Sequence, residues 1–184
     1  MKKHKKATEA LNTYVLTLSQ TFPVYHPKAG KNTRFGAKVG DTLADKPDAK
    51  KVDSDYKRHT IRGNYDLWHK RFEEIYAGKA CLSVRMWSGK PYASKQVELY
   101  RLTKEDGIGM ELLCFADNHT KKDKELHRPI VGGTTEVDYR KLAANDGLSL
   151  QDWEDWFTYG DYDLREPMVI IHFTSFRYNE RNNH

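Results

Sequence analysis

The sequence predicts an α+β domain or a small closed β-barrel flanked by helices. Segments with strand-like alternation occupy most of the 184 residues, and only two or three segments have helical spacing. No segment repeats along the chain. A chain of this length can bury one proper core. We therefore expect a basic tail over residues 1–12 and a single domain over 13–184.

The first third of the domain is predicted to hold one strand and long connections. Residues 14–22 alternate apolar and polar side chains, which is typical of a strand, and Pro23 ends the pattern. Residues 26–33 have the composition of a basic, turn-rich loop. Residues 40–55 contain Pro47 and many charged side chains, so we expect an exposed connection there.

The clearest helix begins after Asn64, a favourable N-cap, and ends at Gly78, a typical C-terminal stop. Apolar residues recur between them at helical spacing: Trp68, Phe72, Ile75 and Tyr76. This spacing predicts that Trp68 and Phe72 belong to the core.

Strands resume over residues 79–87, 96–102 and 111–115, and a surface loop is expected over 117–129. Residues 143–149 are predicted to end one short helix and begin another, with Ser149 as the cap. The buried stripe of the second helix comprises Trp153, Trp156 and Phe157. Residues 168–176 are the last predicted strand.

Composition limits the partners and the compartment. The net charge is +5, which favours an anionic partner, although part of the excess lies in the N-terminal tail. No signal peptide or membrane-spanning run is visible, so we expect a cytoplasmic protein with no membrane partner. Cys81 and Cys114 stand alone in apolar segments and are predicted to be buried thiols.

No cofactor or metal is predicted. Five of the eight histidines lie between residues 57 and 178 and lack zinc-site spacing: His59, His69, His119, His127 and His172. His172 lies in an apolar strand and is predicted to be a hydrogen-bonded core residue. No Walker A loop, dinucleotide fingerprint or serine elbow is present.

Two clusters indicate a phosphate-bearing, stackable ligand. Residues 57–62 place cations and a hydroxyl on a strand-like segment, and residues 85–92 place rings beside cations in a Gly/Pro loop. Surfaces of this kind suit a nucleotide or a single-stranded nucleic acid.

Three motifs resemble the ASCH branch of the PUA-like superfamily over about residues 14–178. Lys57-x-x-Thr60-Ile61-Arg62 resembles the family's Lys-x-x-Thr-x-Arg signature. Residues 144–153 resemble the family's motif at a helix start, in which Asp/Glu-Gly-Phe-Ser is followed by an acidic and an aromatic residue. Residues 170–173 take the place of its closing strand. The helix at 66–78 and the loop at 88–95 depart from the family pattern. The chain is most similar to uncharacterised bacterial and phage members with Phe-Pro-x-x-His-Pro-Lys-x-Gly, here residues 22–30.

The resemblance implies a PUA-like mixed β-barrel of about five or six strands flanked by two to four helices. It also implies a cleft beside the signature that binds RNA or a modified nucleotide. Some members resemble amidohydrolases that act on acetylated cytidine through a Lys, a Thr and a Glu, and nuclease activity has been proposed for others.

The candidate catalytic residues are Lys57, Thr60 and Glu98. A desolvated Lys57 could take the proton of Thr60, and Glu98 could orient Lys57 or move a proton, with Glu111 competing for that role. Lys57 and Thr60 are three residues apart, so a turn or bulge before the strand is needed to bring them together. Thr60 could equally bind a ligand or only fill the strand.

The candidate nucleic-acid-binding residues surround this centre. Arg62 and Arg85 offer guanidinium groups for phosphate or base contacts, with surface ion pairs as the alternative. The loop after the strand interleaves rings and cations: Trp87, Lys90, Tyr92 and Lys95. Lys28 and Thr33 are candidates to line the same cleft from the first loop.

Three hypotheses follow from these residues. The first is a domain that binds RNA or a modified nucleotide in a basic cleft edged by aromatic rings, with DNA as an alternative partner. The second is a metal-independent amidohydrolase or nuclease that uses Thr60 and Lys57. The third is a protein-interaction domain, which predicts exposed tryptophans on a flat patch. The sequence leaves the oligomeric state open.

Overall fold

A computed structural model describes residues 11–116 and 128–179 of the chain. Four α-helices lie in this described part: α1 (Phe35–Asp45), α2 (Tyr65–Tyr76), α3 (Tyr139–Asn145) and α4 (Leu150–Tyr159). Eight strands accompany them: β1 (Asn12–Thr17), β2 (His59–Arg62), β3 (Ala80–Trp87), β4 (Gln96–Leu102), β5 (Gly109–Phe115), β6 (Pro129–Val131), β7 (Thr135–Glu136) and β8 (Met168–His172). The predicted α+β class is therefore confirmed.

The strands form two open sheets, so the expected closed barrel is wrong for the described residues. One sheet has the order β1-β3-β4, and the other has the order β2-β8-β5-β6-β7. β1 runs parallel to β3, whereas every strand pair of the second sheet is antiparallel. Among the described strands, β1 pairs only with β3 and β2 only with β8, so no hydrogen-bonded ladder joins the two sheets there.

Helix α2 forms as its sequence predicts. Asn64 accepts a hydrogen bond from the backbone N–H of Leu67 at 3.2 Å, which caps the first turn. Trp68, Phe72 and Ile75 are buried in a core cluster that includes residues from both sheets. The apolar face of the helix thereby packs into the shared core.

Helix α1 covers residues 35–39, for which no element was predicted, and residues 40–45 of the predicted exposed connection. Gly36 and Gly40 fall inside it, and glycines in a helix lower the helical signal of the sequence. A Cβ at Gly36 would lie 2.8 Å from Met86 Sδ, and one at Gly40 would meet the Tyr100 hydroxyl. The two glycines therefore allow α1 to approach β3 and β4 closely.

Several predicted boundaries shift. The strand predicted over residues 14–22 ends at Thr17, and the last strand ends at His172 rather than 176. The loop predicted over 117–129 lies outside the described residues as far as 127, and Pro129 already belongs to β6. Most of the predicted tail, residues 1–10, also lies outside them.

The two C-terminal helices meet as predicted. The Ser149 hydroxyl accepts a hydrogen bond from the Asp152 N–H at 3.2 Å and so caps α4. Trp153 and Phe157 are buried, whereas Trp156 is only partly buried. The turn between α3 and α4 lies against the segment that leads into β2, since a Cβ at Gly147 would be 3.1 Å from Lys57 Cβ.

None of the helices in residues 11–116 and 128–179 is long and apolar enough to cross a membrane.

Candidate functional site

A buried ion pair lies at the centre of the candidate site. Lys57 Nζ is 2.5 Å from Asp146 Oδ1, and it also donates to the Asp146 carbonyl oxygen at 2.6 Å. The exposed fractions of the two side chains are 1% and 7%. The ammonium lies 3.9 Å from the ring centroid of Phe35, which is a cation–π contact. The Lys57 charge is thus held by one carboxylate, one carbonyl and one ring.

The chain positions Lys57 just before β2 rather than on it. Its backbone N–H donates to the Lys38 carbonyl at 3.3 Å and to the Thr42 hydroxyl at 3.1 Å, both on α1. Asp146 follows α3 directly, and Gly147 then takes a φ of +78°. A Cβ at Gly147 would lie 3.1 Å from Lys57 Cβ, so glycine permits this close approach as well as the turn.

Burial moves the two charged groups of the pair in opposite directions. It lowers the pKa of Lys57 to about 8 and raises the pKa of Asp146 above its ordinary value. Attraction between the two charges opposes both shifts. Burying such a pair seldom adds net stability compared with apolar residues of similar size. Stability by itself therefore does not account for this pair.

Thr60 and Arg62 adjoin the pair from β2. They are alternate residues of the strand and so project from one face. Arg62 Nη1 donates to Thr60 Oγ1 at 2.8 Å and to the Ile61 carbonyl at 2.7 Å, while Nη2 donates to the Thr17 carbonyl at 2.8 Å. These bonds use three of the five guanidinium donors, which leaves two for a ligand.

A small cavity joins these groups. Its volume is about 20 Å³, which is room for roughly one water molecule. The following residues line it: Ser19, Phe35, Lys57, Thr60, Ile61, Arg62, Asp146, Leu148, Trp156 and Phe157. The predicted Lys57, Thr60 and Arg62 are therefore brought together, and the turn before β2 that their spacing required is present.

Glu98 does not join this cavity. Its carboxylate accepts from the Ser83 hydroxyl and lies 2.8 Å from Arg101 Nη2 and 3.8 Å from Arg85 Nη2. The hydrogen bond from Ser83, followed by that from Arg101, lowers the pKa of Glu98 below its usual value. The carboxylate beside Lys57 is that of Asp146. The sequence motif at residues 144–153 contained this aspartate, but nothing local indicated that it would meet Lys57.

Glu111, the alternative acid, belongs to a separate buried cluster. It lies 2.8 Å from His172 Nε2 and accepts backbone N–H bonds from Tyr178 at 2.9 Å and Asn179 at 2.8 Å. Burial alone would raise the pKa of Glu111, but these hydrogen bonds bring it below its usual value. His172 is fully buried and hydrogen-bonded, as predicted.

The predicted aromatic–cationic residues form the β3–β4 hairpin beside the cavity. Arg85 donates to the Ser83 hydroxyl at 2.8 Å, and the rings of Trp87 and Tyr92 lie 5.3 Å apart. Lys90, Tyr92 and Lys95 are exposed. We define this set, residues 85–95, as the basic hairpin.

Thr17 connects the basic hairpin to the cavity. Its carbonyl accepts from Arg62 Nη2 at 2.8 Å, and its hydroxyl accepts from Gln96 Nε2 at 3.1 Å. Gln96 in turn pairs with Trp87 across the sheet. The end of β1 therefore places the hairpin base next to Arg62.

Lys28 and Thr33 do not line the cavity. Lys28 Nζ is 2.7 Å from Asp152 Oδ2, in an ion pair that ties the first loop to α4. The Thr33 hydroxyl donates to the Ser19 carbonyl at 2.7 Å and accepts from the Phe35 N–H at 3.3 Å. Both residues therefore hold the loop in place, and neither is directed at the Lys57 cavity.

Within residues 11–116 and 128–179, no group of three or more His, Cys, Asp or Glu side chains could hold a metal ion. His119 and His127 lie outside these residues. Cys81 is buried and Cys114 partly buried, and both are free thiols.

The fold and the site together define a class of protein: an α+β domain with two open sheets and a buried lysine–aspartate pair beside an arginine and a basic hairpin. Compared with known proteins, the chain matches no protein-family model, no curated protein and no solved structure.

Proposed function

We propose that this domain binds single-stranded RNA or a modified nucleotide, with a base at the Lys57 cavity and the backbone along the basic hairpin. The observation that carries the proposal is the placement of Lys57, Asp146, Thr60 and Arg62 in one cavity, next to that hairpin. The resemblance of residues 57–62 to the ASCH signature agrees with it.

The cavity offers the contacts that a base needs. Lys57 can donate, Asp146 can accept, and the Thr60 hydroxyl can do either, which suits the polar edge of a base or of a modifying group. Trp156 is partly exposed at the cavity and offers a ring for stacking. Because the cavity holds only about 20 Å³, a base enters by displacing Trp156 from its place between Phe35 and the Tyr162 hydroxyl.

The basic hairpin offers contacts to the rest of the strand. Lys90 and Lys95 are exposed cations for phosphates, and Tyr92, 92% exposed, offers a ring to a second base. Contacts of this kind grip a single strand without reading its sequence, and they weaken as salt rises.

A binding titration tests the proposal. Short single-stranded RNA, the matching DNA and free cytidine nucleosides are titrated at two salt concentrations, against the wild type and a Lys90→Ala/Lys95→Ala double variant. We expect RNA binding whose salt dependence becomes shallower in the double variant, by about one phosphate contact per lysine removed.

Lys79→Ala is the matched control, because Lys79 is an exposed lysine just before the opposite end of β3. It should leave RNA affinity unchanged. A loss of binding free energy in the control half as large as that in the double variant would mean that only overall charge matters, because the control removes one charge and the double variant removes two. The absence of binding to all three ligands would exclude the nucleic-acid proposal.

A second candidate, hydrolysis of an acylated nucleoside, is favoured by one observation. Lys57 has a pKa of about 8 and shares the cavity with the Thr60 hydroxyl, so a neutral lysine is accessible near neutral pH. Here Asp146 would take the role that the sequence assigned to Glu98. Lys57 would have to leave the Asp146 carboxylate to reach the Thr60 hydroxyl.

Turnover of acetylated cytidine tests this candidate. Thr60→Val removes the hydroxyl while keeping the side-chain shape, and it should abolish turnover while binding persists; Thr60→Ser should retain part of it. The rate should rise with pH through about 8, as Lys57 loses its proton. Turnover that survives in Thr60→Val would contradict this mechanism.

The protein-interaction hypothesis has less support. All four tryptophans fall in the described residues, and each is buried or partly buried rather than exposed. The exposed tryptophans that this hypothesis predicts are therefore missing from the described surface.

A further inference from the structure

A second and much larger depression lies away from the Lys57 cavity. It runs between α2 and the first half of β5, which pairs with β8 but not with β6, and it has a volume of about 1000 Å³. None of its lining residues also lines the Lys57 cavity. We define it as the α2 groove. Its volume reaches the upper end of the range usual for small-molecule pockets, roughly 300–1000 Å³.

Two cationic side chains and one imidazole face the α2 groove, against a single carboxylate. The cations are Lys104 and Arg177, the imidazole is that of His69, and the acid is Glu73. His69 and Lys104 are exposed, so they can reach a ligand without rearrangement of the core. The balance of charge along the described lining favours an anion.

Arg177 is the best-positioned of these cations. Its Nη1 donates to the carbonyls of Thr174 at 2.7 Å and Phe176 at 2.6 Å, and its Nη2 donates to the Gly107 carbonyl at 3.0 Å. These bonds fix the guanidinium but leave two of its five donors. No carboxylate among the described residues forms an ion pair with it, and burial lowers the pKa of Arg177. Glu111 attracts Arg177 from beyond ion-pair distance, and a bound anion would add a counter-charge in direct contact.

Aromatic rings complete the wall beside these cations. Tyr65, Phe72 and Tyr76 follow one another along α2 and line the groove. The Tyr76 ring is half-exposed, and its hydroxyl accepts the Met110 N–H at 3.1 Å, which fixes the ring against β5. Fixed rings next to a fixed guanidinium suit a ligand that carries both a flat ring and an anionic group.

We propose that the α2 groove binds a small aromatic anion, with the ring on Tyr65 and Tyr76 and the phosphate or carboxylate between Arg177 and Lys104. This site is independent of the proposed function at the Lys57 cavity, because the two sites share no residue.

Calorimetric titration tests the proposal with three probes: adenosine monophosphate, 4-hydroxybenzoate and inorganic phosphate. We expect the first, the second or both to bind, and phosphate alone to bind more weakly than the better of them, because it lacks the ring. Comparison of the two aromatic probes identifies the anionic group. If neither aromatic probe binds, or if inorganic phosphate binds as well as the better one, the proposal is overturned.

Variants locate the binding. Lys104→Ala should raise the dissociation constant about tenfold, as expected for the loss of one charge-assisted contact. Lys51→Ala, an exposed lysine that lines neither site, should leave it unchanged. Unchanged affinity in a Lys104→Ala/His69→Ala double variant would also overturn the proposal.

Amide NMR provides a readout that needs no variant. The backbone amides of Gly107 and Gly132 line the α2 groove, and they should shift during the titration. Shifts confined to the turn at Asp146 and to Arg62 would place the aromatic anion in the Lys57 cavity instead and overturn this proposal.

Discussion

At the scale of single residues, the Lys57–Asp146 pair carries a large desolvation cost. Two full charges are removed from water, and their mutual attraction must offset a desolvation penalty of several kcal/mol for each ion. Phe35 adds a cation–π contact at 3.9 Å, which stabilises the ammonium without neutralising it. The pair therefore depends on both partners being present.

Removing one partner should be much worse than removing both. Asp146→Asn leaves Lys57 buried without its counter-charge, and we expect it to lower the free energy of unfolding by about 3–5 kcal/mol. Lys57→Met/Asp146→Leu removes both charges and should come closer to the wild type, or exceed it. Urea denaturation measures all three proteins.

Glu136→Gln provides the control, because Glu136 pairs with Arg128 at 3.5 Å and both side chains are 58% exposed. It should leave stability unchanged, since exposed pairs contribute little. If Asp146→Asn proves no more destabilising than this control, the desolvation argument for the buried pair is wrong.

At the scale of elements, the packing of α1 on β4 depends on glycine. Gly40 faces the Tyr100 hydroxyl, which donates to the Gly36 carbonyl at 3.0 Å. A helix normally gains up to about 1 kcal/mol when an exposed internal glycine becomes alanine. Here the added methyl group would collide with the tyrosine, so the two effects oppose each other.

We expect Gly40→Ala to lower the free energy of unfolding by about 1 kcal/mol or more, because overpacking outweighs the gain in helix propensity. In a Tyr100→Phe background the obstructing oxygen is absent, and the same substitution should become neutral or stabilising. A double-mutant cycle by chemical denaturation measures the coupling. Equal effects in both backgrounds would show that the hydroxyl does not limit the approach of α1.

At the scale of the whole molecule, a buried polar cluster links β2, β5, β8 and the C-terminal segment. His59 and His172 lie with their ring centroids 5.6 Å apart, and His59 Nε2 is 3.0 Å from the Tyr178 hydroxyl. Burial lowers the pKa of His172 to about 4 and lowers the pKa of His59 well below its ordinary value. Neighbouring positive charges on Lys57, Arg58 and Arg177 act in the same direction.

This cluster should make the fold sensitive to acid. Unfolded histidines bind protons below pH 6.5, whereas folded His172 stays neutral until about pH 4, so stability should fall as the pH falls between these values. The shift of His172 alone corresponds to on the order of 3 kcal/mol. Glu111 adds to the acid loss, because its pKa is lower in the fold than in the unfolded chain.

Urea denaturation at pH 7, 5.5 and 4.5 measures this effect. His172→Gln should flatten the pH dependence, whatever its effect on stability at pH 7. His69→Gln, which changes an exposed histidine, should leave the slope as it is in the wild type. A slope that is identical in all three proteins would mean that His172 does not control acid stability.

Local patterns predicted a large share of the fold. The cap at Asn64 and the apolar spacing of Trp68, Phe72 and Ile75 identified α2, and two-residue alternation identified β3 and β4 almost to the residue. Helix α1 was missed because Gly36 and Gly40 weaken its helical signal, and their use becomes clear only against Met86 and Tyr100. The sequence shows that a glycine is present, but it does not show which neighbouring side chain leaves no room for a Cβ.

For the candidate site, the sequence by itself determined that Lys57, Thr60 and Arg62 form one local cluster and that the basic hairpin carries rings and cations. Only the tertiary structure decided that the acid beside Lys57 is Asp146, 89 residues away, and not Glu98. It also decided that Lys28 forms an ion pair with Asp152 and that the Thr33 hydroxyl donates to a backbone carbonyl, so neither side chain lines the cavity. The physical reason is that periodicity and capping are properties of neighbouring residues, whereas a buried charge is stabilised by whichever group the folded chain brings to it.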